Sequence, residues 1–277
     1  MNYDVRNQKV AVIGMGRTAR SLIALLLREG ARPFVSEAAA GPHLDAFQHE
    51  LRGVGVDFET GGHTLTPLDN ASFVVPGPGV PLSNPLLRAA REKGIPVISE
   101  LEFAHGFIRS RILAITGTNG KTTTTELLRA IVESCGHSVA LAGNNATPAS
   151  DLALIQDQPP YAVLEVSSYQ LEYAHTFRPW IATVLNVTPD HLDWHGGMDD
   201  YVAAKARIFA AQGTGDHAVV NADDEHTRTM LSGSGARRLE FSASRGHASG
   251  AWVRGRDIVF GENQIVASLD DIQIPGH

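Results

Sequence analysis

A single cysteine, Cys135, stands among 277 residues, so no disulfide can form within the chain and the fold must rest on buried apolar surface. With neither a base nor a CxxC partner in view, that thiol is expected to be a small buried side chain. No apolar run approaches the roughly 20 residues of a membrane-spanning helix. The opening MNYDVRNQ lacks a basic start, and the first apolar stretch, 10–13, is too short for the core of a secretory signal. A cytoplasmic protein with no membrane partner is therefore expected. Basic charge is also in short supply: 23 Lys+Arg face 30 Asp+Glu, a formal charge of −7, whereas nucleic-acid binding depends on clustered lysines and arginines. No nucleic-acid partner is expected. Aromatic residues reach only 6% and charged residues 19%, but 43% of the chain is apolar, enough for ordinary globular cores. At roughly 100 to 200 residues per domain, the length favours two domains.

What is present is an alternation. Short β-branched runs alternate with amphipathic stretches from end to end, the pattern of βαβ units and parallel sheets, so the expected fold class is α/β. Strands are expected at 9–13, 34–36, 72–75, 96–98, 112–116, 139–142, 162–166, 182–187 and 217–221. Helices are expected at 17–28, where Leu22, Ile23, Leu26 and Leu27 recur at helical spacing, at 84–93, closed by Gly94, and at 199–211. Glycine turns follow strands at Gly14 and at Gly117, and each would open its own nucleotide-binding unit. The boundary is accordingly placed to give one domain at 1–108 and a second at 109–277. Beyond Arg237 the stretch from Trp252 to Phe260 reads as two short strands around a Gly255-Arg256 turn.

Gly14-Met15-Gly16-Arg17-Thr18-Ala19 leaves a strand and enters a helix, where backbone N–H groups and the helix dipole favour a phosphate. Glu37 follows the next expected strand, about where a dinucleotide fold places its ribose-binding acid, although Ala19 replaces the third glycine of that fingerprint. The turn is open to a dinucleotide, to another nucleotide-bearing ligand, or to a bare strand-to-helix corner. An NAD-binding oxidoreductase would use it and leave the later motifs idle. Pro76-Gly77-Pro78-Gly79-Val80-Pro81 either terminates a strand or offers bare backbone at Gly77 and Gly79 to a ligand.

The second turn, Thr116-Gly117-Thr118-Asn119-Gly120-Lys121-Thr122-Thr123, also runs from strand to helix. Backbone N–H groups there can cradle a polyphosphate, with Lys121 at the β/γ-phosphates and the Thr122 hydroxyl on Mg²⁺. The longer Walker spacing wants glycine at 115, which is Ile115, so the motif is the shorter G-x-x-G-K-T. Such a site needs metal ligands to neutralise charge on the transferred phosphoryl group. Glu165, at the end of a strand, is a candidate carboxylate, and Asp190-His191-Leu192-Asp193-Trp194-His195 offers several more groups. Periodicity does not choose among these, since Asp and His also fill turns and caps. Lys205 falls on an expected helix, where residue-level reading makes it a solvated lysine.

In combination, Thr116 to Thr123, Leu164-Glu-Val-Ser-Ser-Tyr-Gln-Leu-Glu172, Asn186-Val-Thr-Pro-Asp-His-Leu-Asp193 and Tyr201-Val-Ala-Ala-Lys205 resemble the Mur ligases of peptidoglycan synthesis. The Glu165 to Glu172 string is similar to the branch that adds D-glutamate, and the likeness extends to Gly14–Thr18 and Pro78–Pro81. The resemblance implies a Rossmann-like N-terminal domain for the UDP end of the substrate, a central P-loop ATPase-type domain, and a third domain for the incoming amino acid. The sequence stops at Ile274-Pro275-Gly276-His277, where the family's link to that third domain begins, so the third domain is expected to be absent and the chain alone inactive. Departures are Ala19 where glycine is frequent, Asn145-Ala146 where Ile-Gly is frequent, and Trp194 where Arg is common.

Carried over by residue, the resemblance gives ATP to Gly117, Thr118, Asn119, Gly120, Lys121, Thr122 and Thr123, and one Mg²⁺ to Thr122 and Glu165. A second Mg²⁺ falls to His191 and Lys205, with Lys205 carrying a CO₂-derived carbamate. Lys121, Glu165, His191 and Lys205 are then the catalytic set. The UDP-N-acetylmuramoyl-L-alanine side falls to Gly14, Gly16, Arg17, Thr18 and Glu37, with Gly79, Asn144, Ser167, Gln170 and His191 on the path to the reacting carboxylate. The implied reaction, by a monomer, passes the ATP γ-phosphate to the L-alanyl carboxylate and lets D-glutamate displace phosphate from the acyl phosphate. Alternatives are another Mur-type or folylpolyglutamate-like ligase, or a nucleotide-binding fragment without catalysis.

Overall fold

A computed structural model describes residues 3–144, 147–231, 233–244, 246 and 249–272. The departure at 145–146 and the chain end at 274–277 lie outside the described residues. The alternating pattern folds into two sheets. Lys9–Ile13 (β1), Arg32–Glu37 (β2), Asp57–Thr60 (β3) and Ala71–Pro76 (β4) form a parallel sheet in the order β3-β2-β1-β4. Helices Arg17–Arg28 (α1), Asp45–Gly53 (α2) and Pro85–Glu92 (α3) connect and flank it, and Glu100–His105 (α4) leads to the second unit.

The second sheet holds Arg111–Thr116 (β5), Val139–Gly143 (β6), Tyr161–Glu165 (β7), Ile181–Val184 (β8), His217–Asn221 (β9), Arg237–Ser242 (β10), Gly250–Arg254 (β11), Asp257–Phe260 (β12) and Gln264–Ser268 (β13). Its order is β13-β12-β11-β10-β9-β8-β5-β7-β6, parallel from β6 to β11 and antiparallel at β12 and β13. Its helices are Lys121–Ser134 (α5), Ala149–Leu154 (α6), Ser168–Glu172 (α7), Leu192–His195 (α8), Met198–Ala206 (α9) and Glu225–Thr229 (α10). In each sheet the chain turns back beside its first strand, between β1 and β4 and between β5 and β8. Loops at the carboxyl ends of parallel strands part at such points and leave a crevice for a ligand. Gly14 and Gly77 leave the first, Gly117 and Asn186 the second.

The two units share a core. Leu22, Leu25 and Leu26 on one face of α1 are buried in one cluster with Phe103 of α4 and Ala149, Leu152 and Ala153 of α6. Each such leucine contributes about 1.5 to 3 kcal/mol relative to exposure. Arg28, in the last turn of α1, donates to the Ala153 carbonyl at 2.7 Å. Glu102 of α4 pins the segment after α7, accepting the N–H groups of His175, Thr176 and Phe177 and the hydroxyls of Thr176 and Tyr3. Burial would raise its pKa, but these donors outweigh burial and lower it.

Several expectations change, among them the 182–187 strand, which ends at Val184. Cys135 is exposed, because it caps α5, a helix whose one buried residue among those described is Thr125. The 96–98 strand is reduced to a bridge between Val74 and Val97, consistent with Pro96 lacking an N–H for a ladder. The helix from 199 ends at Ala206 and tightens into a 3₁₀ turn, Arg207–Phe209. Among the described residues no helix is long and apolar enough to cross a membrane.

Candidate functional site

The first turn opens at Gly14, whose φ of +103° lets the chain leave β1 sharply, and Gly16 stands at the N-cap of α1. A cavity of about 370 Å³ lies against it, bounded by Gly14, Gly16, Thr18, Glu37 and residues 77–81, Gly79 included. Glu37, at the end of β2, accepts the N–H of Met15 and that of Ala39, each at 2.8 Å, so its carboxylate rests on the turn. Arg17 is exposed on the first turn of α1 and does not line this cavity. His63 and Asn84 line it as well, and neither was singled out by sequence. His63 Nε2 meets Asn84 Nδ2 at 3.1 Å and His63 Nδ1 meets Ser36 Oγ at 2.7 Å, tying α3 to β2 across the mouth.

The second turn is filled by its own lysine. Lys121 Nζ donates to the carbonyls of Gly117 and Thr118, 2.9 Å each, while Gly120 adopts φ +81° to start α5. Thr122 Oγ1 donates to Glu165 Oε2 at 2.7 Å, and Asn144 Nδ2 donates to Glu165 Oε1 at 3.2 Å. Thr123 is exposed on the first turn of α5. The opposite wall comes from the loop after β8. Asn186 pairs its side-chain amide with the backbone of Asn119 at 2.9 and 3.1 Å, and its carbonyl accepts Thr118 N–H at 3.0 Å.

Lys205 overturns its residue-level reading. It is 1% exposed, its ammonium donates to Gly117 O at 3.0 Å and lies 4.5 Å from the Tyr201 ring centre. Burial, reinforced by the Lys121 charge and opposed by Asp190, pushes its pKa down to about 7. A solvated helix position became a desolvated one because α9 packs onto the glycine loop.

His191 stands apart from this group. In the left-handed region at φ +54°, it meets Asp190 at 3.4 Å and lies 5.1 Å from the Tyr169 ring, and no hydrogen bond among those described joins it to Lys205. Between them sits His195, 4% exposed, stacked parallel to Tyr169 and bonded through Nε2 to Ser168 Oγ at 2.9 Å. Burial, with the charges of Lys205 and His191, lowers its pKa to about 4, so it is neutral at neutral pH. Ser167 and Gln170 are buried as a reciprocal cap on α7, with Gln170 Oε1 accepting the Ser167 N–H and hydroxyl at 3.0 and 3.1 Å. Hard-cation chemistry fits Thr122 and Glu165, two oxygen donors already in contact. It fits Lys205 only after its amine becomes an anionic oxygen donor. No cluster of three His, Cys, Asp or Glu side chains converges among the described residues.

Comparison with known proteins matches residues 115–274 to the Mur ligase middle domain and residues 8–99 to the Mur ligase MurD-like N-terminal domain. The chain belongs to the Mur ligase family. As a Mur ligase it is 41% identical, over its whole length, to UDP-N-acetylmuramoylalanine–D-glutamate ligase of Pelotomaculum thermopropionicum, covering 61% of that protein. It is 42% identical to the protein of the same name from Frankia casuarinae over 97% of this chain and 58% of that one. The chain thus spans about three fifths of the relatives it matches. A solved structure, UDP-N-acetylmuramate:L-alanyl-gamma-D-glutamyl-meso-diaminopimelate ligase from Neisseria meningitides, has a TM-score of 0.57 at 19% identity, covering 93% of this chain and 85% of that one. A murein peptide ligase from Psychrobacter arcticus gives 0.53 at 18%, over 93% and 59%. Identities this low speak to the shared fold.

Sequence reasoning on this Mur ligase passed over Gly143, named His195 only as one of several undecided groups at 190–195, and met Asn186 only as the start of a motif. Gly143 ends β6 at φ +110°, and a Cβ there would lie 2.1 Å from the Glu165 carbonyl oxygen. Only glycine lets β6 close against the strand end that carries Glu165. A glycine ending an expected strand, two residues from Asn145, was its one sequence signal.

Proposed function

We propose that the chain carries the UDP-substrate and ATP sites of a ligase that joins D-glutamate to UDP-N-acetylmuramoyl-L-alanine, with residues 1–108 serving the sugar nucleotide and 109–277 serving ATP. The observation that carries this reading is the convergence on one glycine loop of Lys121, Lys205 and the Thr122–Glu165 pair. The names and full-length identity of the relatives support D-glutamate as the amino acid added.

Lys121 and the N–H groups of 117–123 would take the ATP phosphates, the lysine exchanging loop carbonyls for phosphate oxygens. Thr122 and Glu165 would hold one Mg²⁺, and His191 with a carbamylated Lys205 a second; bound there, the cations neutralise charge on the phosphoryl oxygens. A pKa of about 7 leaves a substantial share of Lys205 as the neutral amine near neutral pH, so its nitrogen can bond to the carbon of CO₂ with loss of one proton to solvent. Glu37, Thr18 and the bare backbone of Gly14 and Gly16 would receive the UDP moiety, with Arg17 free to swing onto it. Gly79, Asn144, Ser167, Gln170 and His191 would then border the path of the L-alanyl carboxylate. That carboxylate bonds to the γ-phosphorus as the β,γ-bridging P–O bond breaks and ADP leaves. The amine of D-glutamate next attacks the acyl carbon and gives up a proton to solvent, and phosphate departs with the bonding pair. Positioning and charge supply most of this catalysis.

Calorimetry tests the reading. Mg·ATP should bind wild type and lose about a hundredfold in affinity in Lys121→Ala, a change of roughly 3 kcal/mol, while UDP-N-acetylmuramoyl-L-alanine binds both alike. Equal ATP affinity, or binding of NADH in place of the UDP ligand, overturns it. The 277-residue polypeptide, which spans about three fifths of the relatives it matches, should by itself form D-glutamyl product far below the ~1 to 10³ s⁻¹ usual for enzymes.

A further inference from the structure

Residues 77–81 form a wall of the first cavity and also reach the second unit. Gly77 N–H donates to Ile13 O at 2.8 Å, Val80 N–H to Gly77 O at 3.0 Å, and the Val80 carbonyl accepts the indole N–H of Trp194 at 3.2 Å. An indole has one donor and no acceptor, so this bond commits the whole polar capacity of Trp194 to the other unit. Trp194 lies on α8, directly before His195 and three residues after His191. Its ring meets Tyr169 edge-on at 4.6 Å and His195 at 4.6 Å, and Tyr169 in turn lies 5.1 Å from His191. The seam between this aromatic group and residues 76–80 is closed to about 10 Å³, too little for more than a single water.

We infer that Trp194 is a positioning residue that couples the two nucleotide sites, by tying the α8 segment with His191 and His195 to the cavity wall at Val80. The inference rests on the assignment of the two sites given above. A ligand that fills the first cavity orders residues 77–81, which fixes the acceptor of the indole and so holds α8 beside the glycine loop. Coupling of this kind is reciprocal: whatever the sugar nucleotide adds to ATP affinity, ATP adds to sugar-nucleotide affinity. The tryptophan ring seals the seam, and its N–H sets the register between the two units.

The test measures Mg·ATP affinity by calorimetry on the 277-residue chain, with and without saturating UDP-N-acetylmuramoyl-L-alanine. Wild type should show at least about a fivefold gain in ATP affinity. Trp194→Phe, which keeps a ring and loses the N–H, should bring that ratio close to one while each ligand alone binds within about twofold of wild type. A residue that served only to stabilise the fold would lower the melting temperature and leave the ratio intact, which would overturn the inference. So would a wild-type ratio of one with both ligands bound. Failure of either ligand to bind wild type would instead defeat the site assignment, and the inference with it. A second readout needs no change at the position itself: in a Trp180→Phe, Trp252→Phe background, the sugar nucleotide should shift the fluorescence of Trp194, and an unchanged spectrum with ligand bound overturns the coupling.

Discussion

The two glycine turns share one backbone design and differ in charge. At Gly14 a carboxylate, Glu37, sits on a turn N–H, and beside it lies an open cavity of about 370 Å³. At Gly117 two lysine side chains, from Lys121 and Lys205, share one turn carbonyl, and the Glu165 carboxylate is held by a threonine hydroxyl. A strand, a glycine and a helix N-terminus make a corner where a phosphate can rest. What the corner accepts depends on the side chains that reach it. An acid on the next strand suits a neutral ribose or base edge, whereas stacked cations suit a polyphosphate.

Backbone constraint separates the turns further, and Gly143→Ala should give the largest effect. Its Cβ would meet Glu165 O at 2.1 Å, so β6 must withdraw from the second site. The expected cost is roughly 3 to 5 kcal/mol, near the upper end for single substitutions, read as a lower urea midpoint. An unchanged midpoint would mean that β6 does not need this approach.

Glu100 tests the seam that joins the two regions. It accepts Ser150 N–H at 2.5 Å across the α4–α6 contact, and burial raises its pKa from 4.5 to about 7. Between those values the folded state keeps a proton that the unfolded state has released, so stability falls as pH rises through the window. Glu100→Gln should remove that slope and be more stable than wild type at pH 8 by on the order of 2 kcal/mol. Parallel unfolding curves of the two proteins at pH 5 and pH 8 would refute it.

The smallest effect belongs to the first turn. A Cβ on Gly16 meets nothing within 4 Å and the residue has negative φ, so Gly16→Ala should cost below about 1 kcal/mol, the loss of a modest N-cap preference. A thermal shift as large as that of Gly143→Ala would erase the contrast between the turns.

Much of the fold was legible. Strands at 9–13 and 217–221 and the helix at 17–28 have the expected bounds, because β-branched runs and a leucine stripe are local signals. The hairpin around Gly255 also formed, with φ +65° at that glycine. Asp57–Thr60 was missed because Asp57, Glu59 and Thr60 give no apolar alternation; it joins the sheet by pairing with β2. Gln264–Ser268 was also missed, an edge strand carried by β12. In the site, the contacts of Lys121, Thr122 and Glu165 followed from their positions at strand and helix ends. Arg17 did not line the cavity, since its place on the first turn of α1 points it to solvent.

By itself, the sequence determined the α/β alternation, the two glycine corners and the Lys121–Thr122 pair, all properties of neighbouring residues and their allowed backbone angles. Tertiary structure alone decided which lysine would lose its water. Lys205 lies 88 residues from Gly117 along the chain, and no periodicity distinguishes it from a solvated helix lysine. The same holds for His195, neutral because it is buried against Tyr169 and Tyr201, and for Trp194, whose indole finds its acceptor 114 residues away at Val80. Desolvation and long-range hydrogen bonds depend on which surfaces are pressed together, and that is settled only when the two sheets pack on their common core.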